Sequence, residues 1–163
     1  MELAKHAASW SKDPSRKIGA VAVGKHGQIL STGYNGFPRG IRDNKRLNDR
    51  QMKYKLVVHA EQNCIYNATL NGVCLDGADL YVYGLPVCNE CAKGVIQVGI
   101  RNVYMCHEVD LDDKWKESYE TTKSMFNEVD MEYWTFSEEN GKYKIIDGSS
   151  RGYKPLTLTE SWD

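Results

Sequence analysis

The residue types best suited to chemistry fall in two short segments, His59-Ala60-Glu61 and Pro86-Val87-Cys88-Asn89-Glu90-Cys91. One imidazole and two thiolates are good ligands for tetrahedral zinc, and three protein ligands leave a fourth position open to water. An open zinc lowers the pKa of its bound water towards neutrality, so His59, Cys88 and Cys91 predict a hydrolytic site with Zn2+ as cofactor. Residues two apart in mid-helix point roughly 200° apart and share no stripe. In a first turn, however, the chain can aim His59 at a metal and Glu61 at a substrate, where a carboxylate shuttles protons. A His-X-Glu by itself is usually structural, and Cys88-X-X-Cys91 alone also suits a redox pair. The redox reading leaves His59 and Glu61 without a role.

The elements that must hold these segments can be read around them. Leu3, Ala7 and Trp10 stand at helical spacing, giving a helix over 2–11 that Asp13-Pro14 ends. Residues 18–23 form a buried strand, Lys25-His26-Gly27 a turn, and 28–32 a returning strand. The stretch 33–40 is a loop containing Gly33, Gly36, Gly40 and Pro38. Residues 41–55 are polar and basic and read either as a charged surface helix or as a site for an anionic effector. Helices follow over about 59–70 and after Cys88, with strands at 80–83 and 101–105. Both metal segments therefore open helices, where N-terminal N–H groups and the helix dipole favour thiolate. Trp115, Tyr119, Thr122 and Phe126 mark another amphipathic helix, capped by Asp112 or Asp113. A strand over 131–136 precedes Asn140-Gly141, a tight-hairpin signal into 142–146. Residues 1–136 are expected to form the catalytic domain. Residues 137–163 make a hairpin and tail that either belong to it or reach out as an interface arm.

Composition narrows the function. With 41% hydrophobic and 26% charged residues among 163, the chain suits one packed domain. No apolar run approaches the ~18 residues of a membrane span, and Met1-Glu2-Leu3-Ala4-Lys5 lacks the apolar core of a signal peptide. A cytoplasmic protein with no membrane partner is expected. The net charge of −1 argues against a duplex-DNA binder. It is unevenly spread: residues 1–106 hold 14 Lys/Arg against 8 Asp/Glu, and 107–163 hold 7 against 14. The basic front suits an anionic small substrate. Five cysteines, an odd number, argue against a disulfide framework, and Cys64, Cys74 and Cys106 read as buried small hydrophobes.

Several segments together resemble the zinc-dependent cytidine deaminase superfamily and, within it, the deoxycytidylate deaminases. They are Ser11-Lys12-Asp13-Pro14-Ser15, Ile18-Gly19-Ala20-Val21, Tyr34-Asn35-Gly36-Phe37-Pro38, Val58-His59-Ala60-Glu61-Gln62-Asn63 and Cys91-Ala92-Lys93. The likeness spans about residues 3–105. It departs where Val87 separates Pro86 from Cys88, and where Cys106-His107 replaces a Tyr or Arg that many relatives carry near the phosphate.

The resemblance implies an α/β chain with a three-layer α/β/α cytidine-deaminase-like fold and a mixed five-stranded central sheet. It implies hydrolytic deamination of dCMP to dUMP and ammonia by a zinc-bound hydroxide, with Glu61 as proton shuttle. The Ala60 amide and a carbonyl near Leu85 or Pro86 would orient the ring. Asn35 would hold the sugar hydroxyl and base edge, and Arg16 and Lys17 the 5′-phosphate. It further implies activation by dCTP and inhibition by dTTP with Mg2+, no nucleic-acid polymer as partner, and a homo-oligomer, dimer or hexamer. A free cytidine deaminase would not need cations after Pro14, and a tRNA adenosine deaminase would carry a basic C-terminal helix where 107–140 is acidic. A deaminase that also accepts dCTP stays open. A zinc-bound scaffold without activity is opposed by Glu61. His6, His26 and His107 read as surface or structural residues.

Overall fold

The structure is a computed structural model and describes residues 1–107 and 110–149. Its elements run α1 (Glu2–Ser9), β1 (Gly19–Val23), β2 (Ile29–Tyr34), a 3₁₀ turn (Lys45–Leu47), α2 (Arg50–Leu56), α3 (Ala60–Leu70), β3 (Asp79–Tyr83), α4 (Asn89–Gln97), β4 (Asn102–Cys106), α5 (Asp113–Glu128), β5 (Glu132–Glu139) and β6 (Lys142–Gly148). One sheet orders the strands β2-β1-β3-β4-β5-β6. β3, β4 and β5 are parallel; β1 is antiparallel to both its neighbours, and β6 to β5.

The sheet thus has six strands where five were expected. Asn140 and Gly141 take φ of 54° and 74°, the positive pair that a two-residue hairpin turn demands. The turn lets β6 cover an edge of β5 that would otherwise expose unpaired backbone. β5 runs through the expected boundary at 136 as far as Glu139. Of the expected tail, 150–163 lies outside the described residues.

Helices cover both faces. α1 packs on one face against Val21, and the large core between the other face and α3, α4 and α5 holds Ala60, Cys64, Leu80, Val82, Val95, Val103, Met105 and Phe126. On the α1 face, Tyr81, Tyr104 and Trp134 stack across β3, β4 and β5 with ring centroids 4.7 and 4.9 Å apart. The stripe that α1 buries is Ala4, Ala7 and Ala8, while Leu3 and Trp10 are exposed, contrary to the expected Leu3–Ala7–Trp10 face. Small residues win because α1 lies almost on the backbone of β1: a Cβ on Gly19 would sit 2.1 Å from the Ala4 carbonyl oxygen.

The same device seats the first turn of α3. A Cβ on Gly33 would lie 2.3 Å from both the Ala60 carbonyl oxygen and the Cys64 nitrogen, backbone atoms with nowhere to go. Gly33→Ala is therefore expected to push this turn off the sheet. Displacements near 1 Å at a reacting centre can cost about 100-fold, so kcat/KM should drop by about that factor with a lower melting temperature. Parent-like activity in a steady-state assay would show that the helix start tolerates displacement. Beside it, Asn67 and Asn63 of α3 donate their amides to the carbonyls of Thr32 and Tyr34 on the outer edge of β2, both at 2.7 Å.

Candidate active site

His59 and Cys88 occupy equivalent places. Each is the N-cap residue of its helix, in extended backbone (φ −69°, ψ 157° and φ −78°, ψ 161°), before α3 and α4 respectively. Extended geometry at the cap lets a side chain turn across the helix start. Cys91, one turn into α4, turns back towards Cys88, whose sulfur accepts its N–H at 3.5 Å. The two helix starts meet so that His59 Nδ1 lies 3.4 Å from Cys88 Sγ and 3.4 Å from Cys91 Sγ.

Tetrahedral zinc bonds of about 2.0–2.1 Å to nitrogen and 2.3 Å to sulfur place those atoms about 3.5 Å apart, so the donor set fits a zinc ion. Among the described residues this is the one such group of His, Cys, Asp or Glu side chains. The three groups are electrostatically coupled, with Cys88 the one favoured as thiolate. A hydrogen bond to Cys88 holds His59 up at about 9 against its burial. The Cys91 thiol and then the His59 ring hold Cys88 down to about 4, while pairing with Cys88, then burial, pushes Cys91 upward.

Side chains from α5 steady the loop that carries Cys88. Thr122 donates its hydroxyl to the Val87 carbonyl at 3.0 Å, and Ser118 accepts the Asn89 N–H at 3.0 Å. Val87, the extra residue between Pro86 and Cys88, is fully buried. Its N–H points to the sulfur of Met105 on β4 at 3.3 Å, which ties the loop to the sheet.

A cavity of about 340 Å³ opens beside these ligands. At its inner end are His59, Ala60 and Glu61, with Leu85 and Pro86 on the wall. Glu61 is only 3% exposed, and burial raises it to about 7. A carboxyl in that range holds or releases a proton near neutrality. Asn35 also lines the cavity. Its Oδ1 accepts the Ile18 N–H at 2.8 Å and its Nδ2 donates to the Arg16 carbonyl at 2.9 Å. It therefore pins the segment before β1.

Arg16 lines the cavity, whereas Lys17 does not; the Lys17 amine reaches back to the Ser9 carbonyl at 3.4 Å. Arg39 is bonded to Asn67 on α3, away from the cavity. Cys64 and Cys106 are buried as expected, but Cys74 is exposed. His6 packs edge-on against Trp10, His26 is exposed, and His107 donates its backbone N–H to Phe136; none lines the cavity.

The lining also takes in residues of the basic stretch 41–55, read either as a charged surface helix or as a site for an anionic effector. Arg50, Lys53, Tyr54 and Val57 all line the cavity. Their spacing of three, four and seven is one face of a helix. The helical reading of this stretch puts Arg50, Lys53 and Tyr54 on one face, but nothing in the sequence says that the face looks into a cavity. Asp112 and Trp115 at the start of α5 complete the rim, with the Asp112 carboxylate accepting the Trp115 N–H at 2.9 Å.

A buried carboxyl beside a His–Cys–Cys donor set with an open position, at the mouth of an α/β/α sheet, defines a metal-dependent hydrolase. Residues 1–107 match the family model described as the cytidine and deoxycytidylate deaminase zinc-binding region. The chain is 38% identical over 132 residues to an uncharacterized deaminase in the luxG 3′ region of Aliivibrio fischeri, covering 80% of this chain and 86% of that one. It is 36% identical over 163 residues to the deoxycytidylate deaminase of Mus musculus, covering 95% and 86%. The crystal structure of dCMP deaminase from the cyanophage S-TIM5 in apo form is 30% identical, with a TM-score of 0.56 over 71% of this chain and 86% of that one. The chain belongs to the cytidine and deoxycytidylate deaminase family.

Proposed function

We propose that the protein deaminates dCMP to dUMP and ammonia. The observation that carries this is a single cavity lined by His59, the buried carboxyl of Glu61 and two arginines, Arg16 and Arg50, with His59 completing a donor set with Cys88 and Cys91. Among the described residues neither arginine has an ion-pair partner. Relatives with the name deoxycytidylate deaminase support the same substrate.

His59, Cys88 and Cys91 would hold the zinc, which supplies a water of lowered pKa at its open position. Glu61 would take one proton from the water that adds to C4 of the cytosine ring and place it on N3, then pass the remaining proton of the new C4 hydroxyl to the amine as the C4–N4 bond breaks and ammonia leaves. The Ala60 N–H and the backbone at Leu85 and Pro86 orient the ring, and Asn35 meets the sugar. Arg16 and Arg50 take the 5′-phosphate; Lys17 has no part.

Effector control by dCTP and dTTP is read from the Tyr34-Asn35-Gly36-Phe37-Pro38 loop, where Arg46 stands over the Phe37 ring. Assembly as a dimer or hexamer is supported by the exposed Trp10, Tyr34, Tyr66 and Leu70. A reducing, cytoplasmic setting suits a site built on thiolates.

The test is turnover of dCMP, dCTP, deoxycytidine and cytidine, each with and without dCTP and dTTP. dCMP should exceed deoxycytidine in kcat/KM by at least ~100-fold, about 2.7 kcal/mol. One or two charge-assisted hydrogen bonds suffice for that. Arg16→Ala and Arg50→Ala should each erase at least ~10-fold of the preference and change deoxycytidine turnover by less than about threefold, since the phosphate breaks no bond. Equal rates on dCMP and deoxycytidine in the parent would remove the nucleotide reading.

A further inference from the structure

One buried ion pair forms part of the cavity lining that also holds Arg16 and Arg50, and the chemistry at the metal does not use it. Lys53 and Asp13 are 7% and 5% exposed, with Nζ 3.0 Å from Oδ1. Long charged side chains are seldom this buried without a partner and a reason. Lys53 comes from α2 and Asp13 from the segment between α1 and β1, 40 residues away in the chain.

Asp13 is a hub. The oxygen that meets Lys53 also accepts the backbone N–H of Ser15 at 2.8 Å and of Arg16 at 3.3 Å. Its other oxygen faces Asn35 Nδ2 at 3.4 Å. Lys53 adds a second link, donating to the Ser15 hydroxyl at 2.9 Å. The pair therefore joins the turn that carries Arg16, the residue that meets the sugar, and the helix that carries Arg50. α2 is only seven residues long. Helices that short are not stable by themselves, so its position comes from its attachments: this pair, and the bridge between Gly36 and Val58 just after its end.

We infer that Lys53 is a positioning residue for nucleotide recognition, tying α2 to the 13–16 turn through Asp13 so that Arg16 and Arg50 stand at a fixed separation across the cavity. The inference rests on the reading of Arg16 and Arg50 as phosphate ligands. Lys53 lines the cavity, but its amine is taken up by Asp13 and Ser15, so it acts through these neighbours and not as a phosphate ligand.

Removing one member of a buried pair leaves an uncompensated charge, whereas replacing both is far better tolerated. The experiment is therefore a cycle of Lys53→Met, Asp13→Asn and the double variant, read as zinc content, melting temperature, and kcat and KM on dCMP and deoxycytidine at 25 °C. Lys53→Met is expected to lower kcat/KM for dCMP at least ~30-fold and for deoxycytidine ~5-fold or more. The loss should lie mainly in KM, because the ligands and Glu61 sit on other segments. Adding Asp13→Asn should restore at least tenfold of the dCMP loss together with the melting temperature.

A loss confined to dCMP that Asp13→Asn does not relieve would mean that Lys53 grips the phosphate itself, and the inference falls. A lower melting temperature with unchanged kinetics on both substrates would make the pair merely structural and also overturn it. If Lys53→Met does not fold, the double variant decides: folded with turnover within tenfold of the parent supports the tether, unfolded overturns it. A parent without preference for dCMP would defeat the proposed substrate, while rescue of deoxycytidine turnover in the cycle would still report on the tether.

Discussion

Glu61→Gln is expected to lose at least ~1,000-fold in kcat, about 4 kcal/mol of barrier, while keeping its zinc. Glutamine preserves the shape and the hydrogen bonding of the side chain but cannot carry a proton between water, ring nitrogen and leaving amine. Glu61 lies outside the group of three candidate ligands, so metal content should not follow activity. The deep burial of Glu61 strengthens the expectation, since bulk solvent has poor access to do the same work. Ammonia release and metal analysis on the same preparation check both halves. Turnover within tenfold of the parent would remove Glu61 from the mechanism.

Cys88→Ser and Cys91→Ser are expected to lose zinc and stability together. Ligand binding free energy is in part folding free energy when the site exists only in the folded chain. Cys88 and Cys91 are 7% and 1% exposed and join the start of α4 to the start of α3 through His59. A loss of only about 3 kcal/mol lowers the melting temperature of a domain of this size by about 6–12 °C. Calorimetry with metal analysis tests this. Parent protein stripped by a chelator should show the same fall and recover both stability and turnover on zinc addition. Full activity after chelation and dialysis would defeat the zinc assignment.

The metal end of the site was legible in the sequence because its information is local. A His before one helix and Cys-X-X-Cys at the start of another place three donors by cap geometry, with little dependence on the rest of the chain. The cationic part of the cavity lining was not legible in the same way. Arg16 and Lys17 are neighbours in an irregular segment before β1, and only Arg16 lines the cavity while the Lys17 amine reaches the Ser9 carbonyl. Which one does so is decided by where Asn35 and Asp13 hold the backbone. Arg50 and Lys53 were hidden because a basic stretch looks like a solvated helix until its attachment to Asp13 is known. The layers and most strands followed from alternation and turn residues. The sixth strand and the alanine face of α1 depended on tertiary contacts at β5 and Gly19.

The two asparagine amides along β2 have a consequence for how copies of this chain can meet. An exposed strand edge invites another strand to add to it, extending one sheet into the next. Here the acceptors that a newcomer would need, the carbonyls of Thr32 and Tyr34, are already engaged by Asn67 and Asn63 at full hydrogen-bond strength. Each carbonyl keeps a second lone pair, but the asparagine side chains occupy part of the approach that a newcomer's backbone would use. Association on this flank is thereby steered away from continuous sheets, which can propagate without limit, and towards contacts between side chains, which close into assemblies of fixed size.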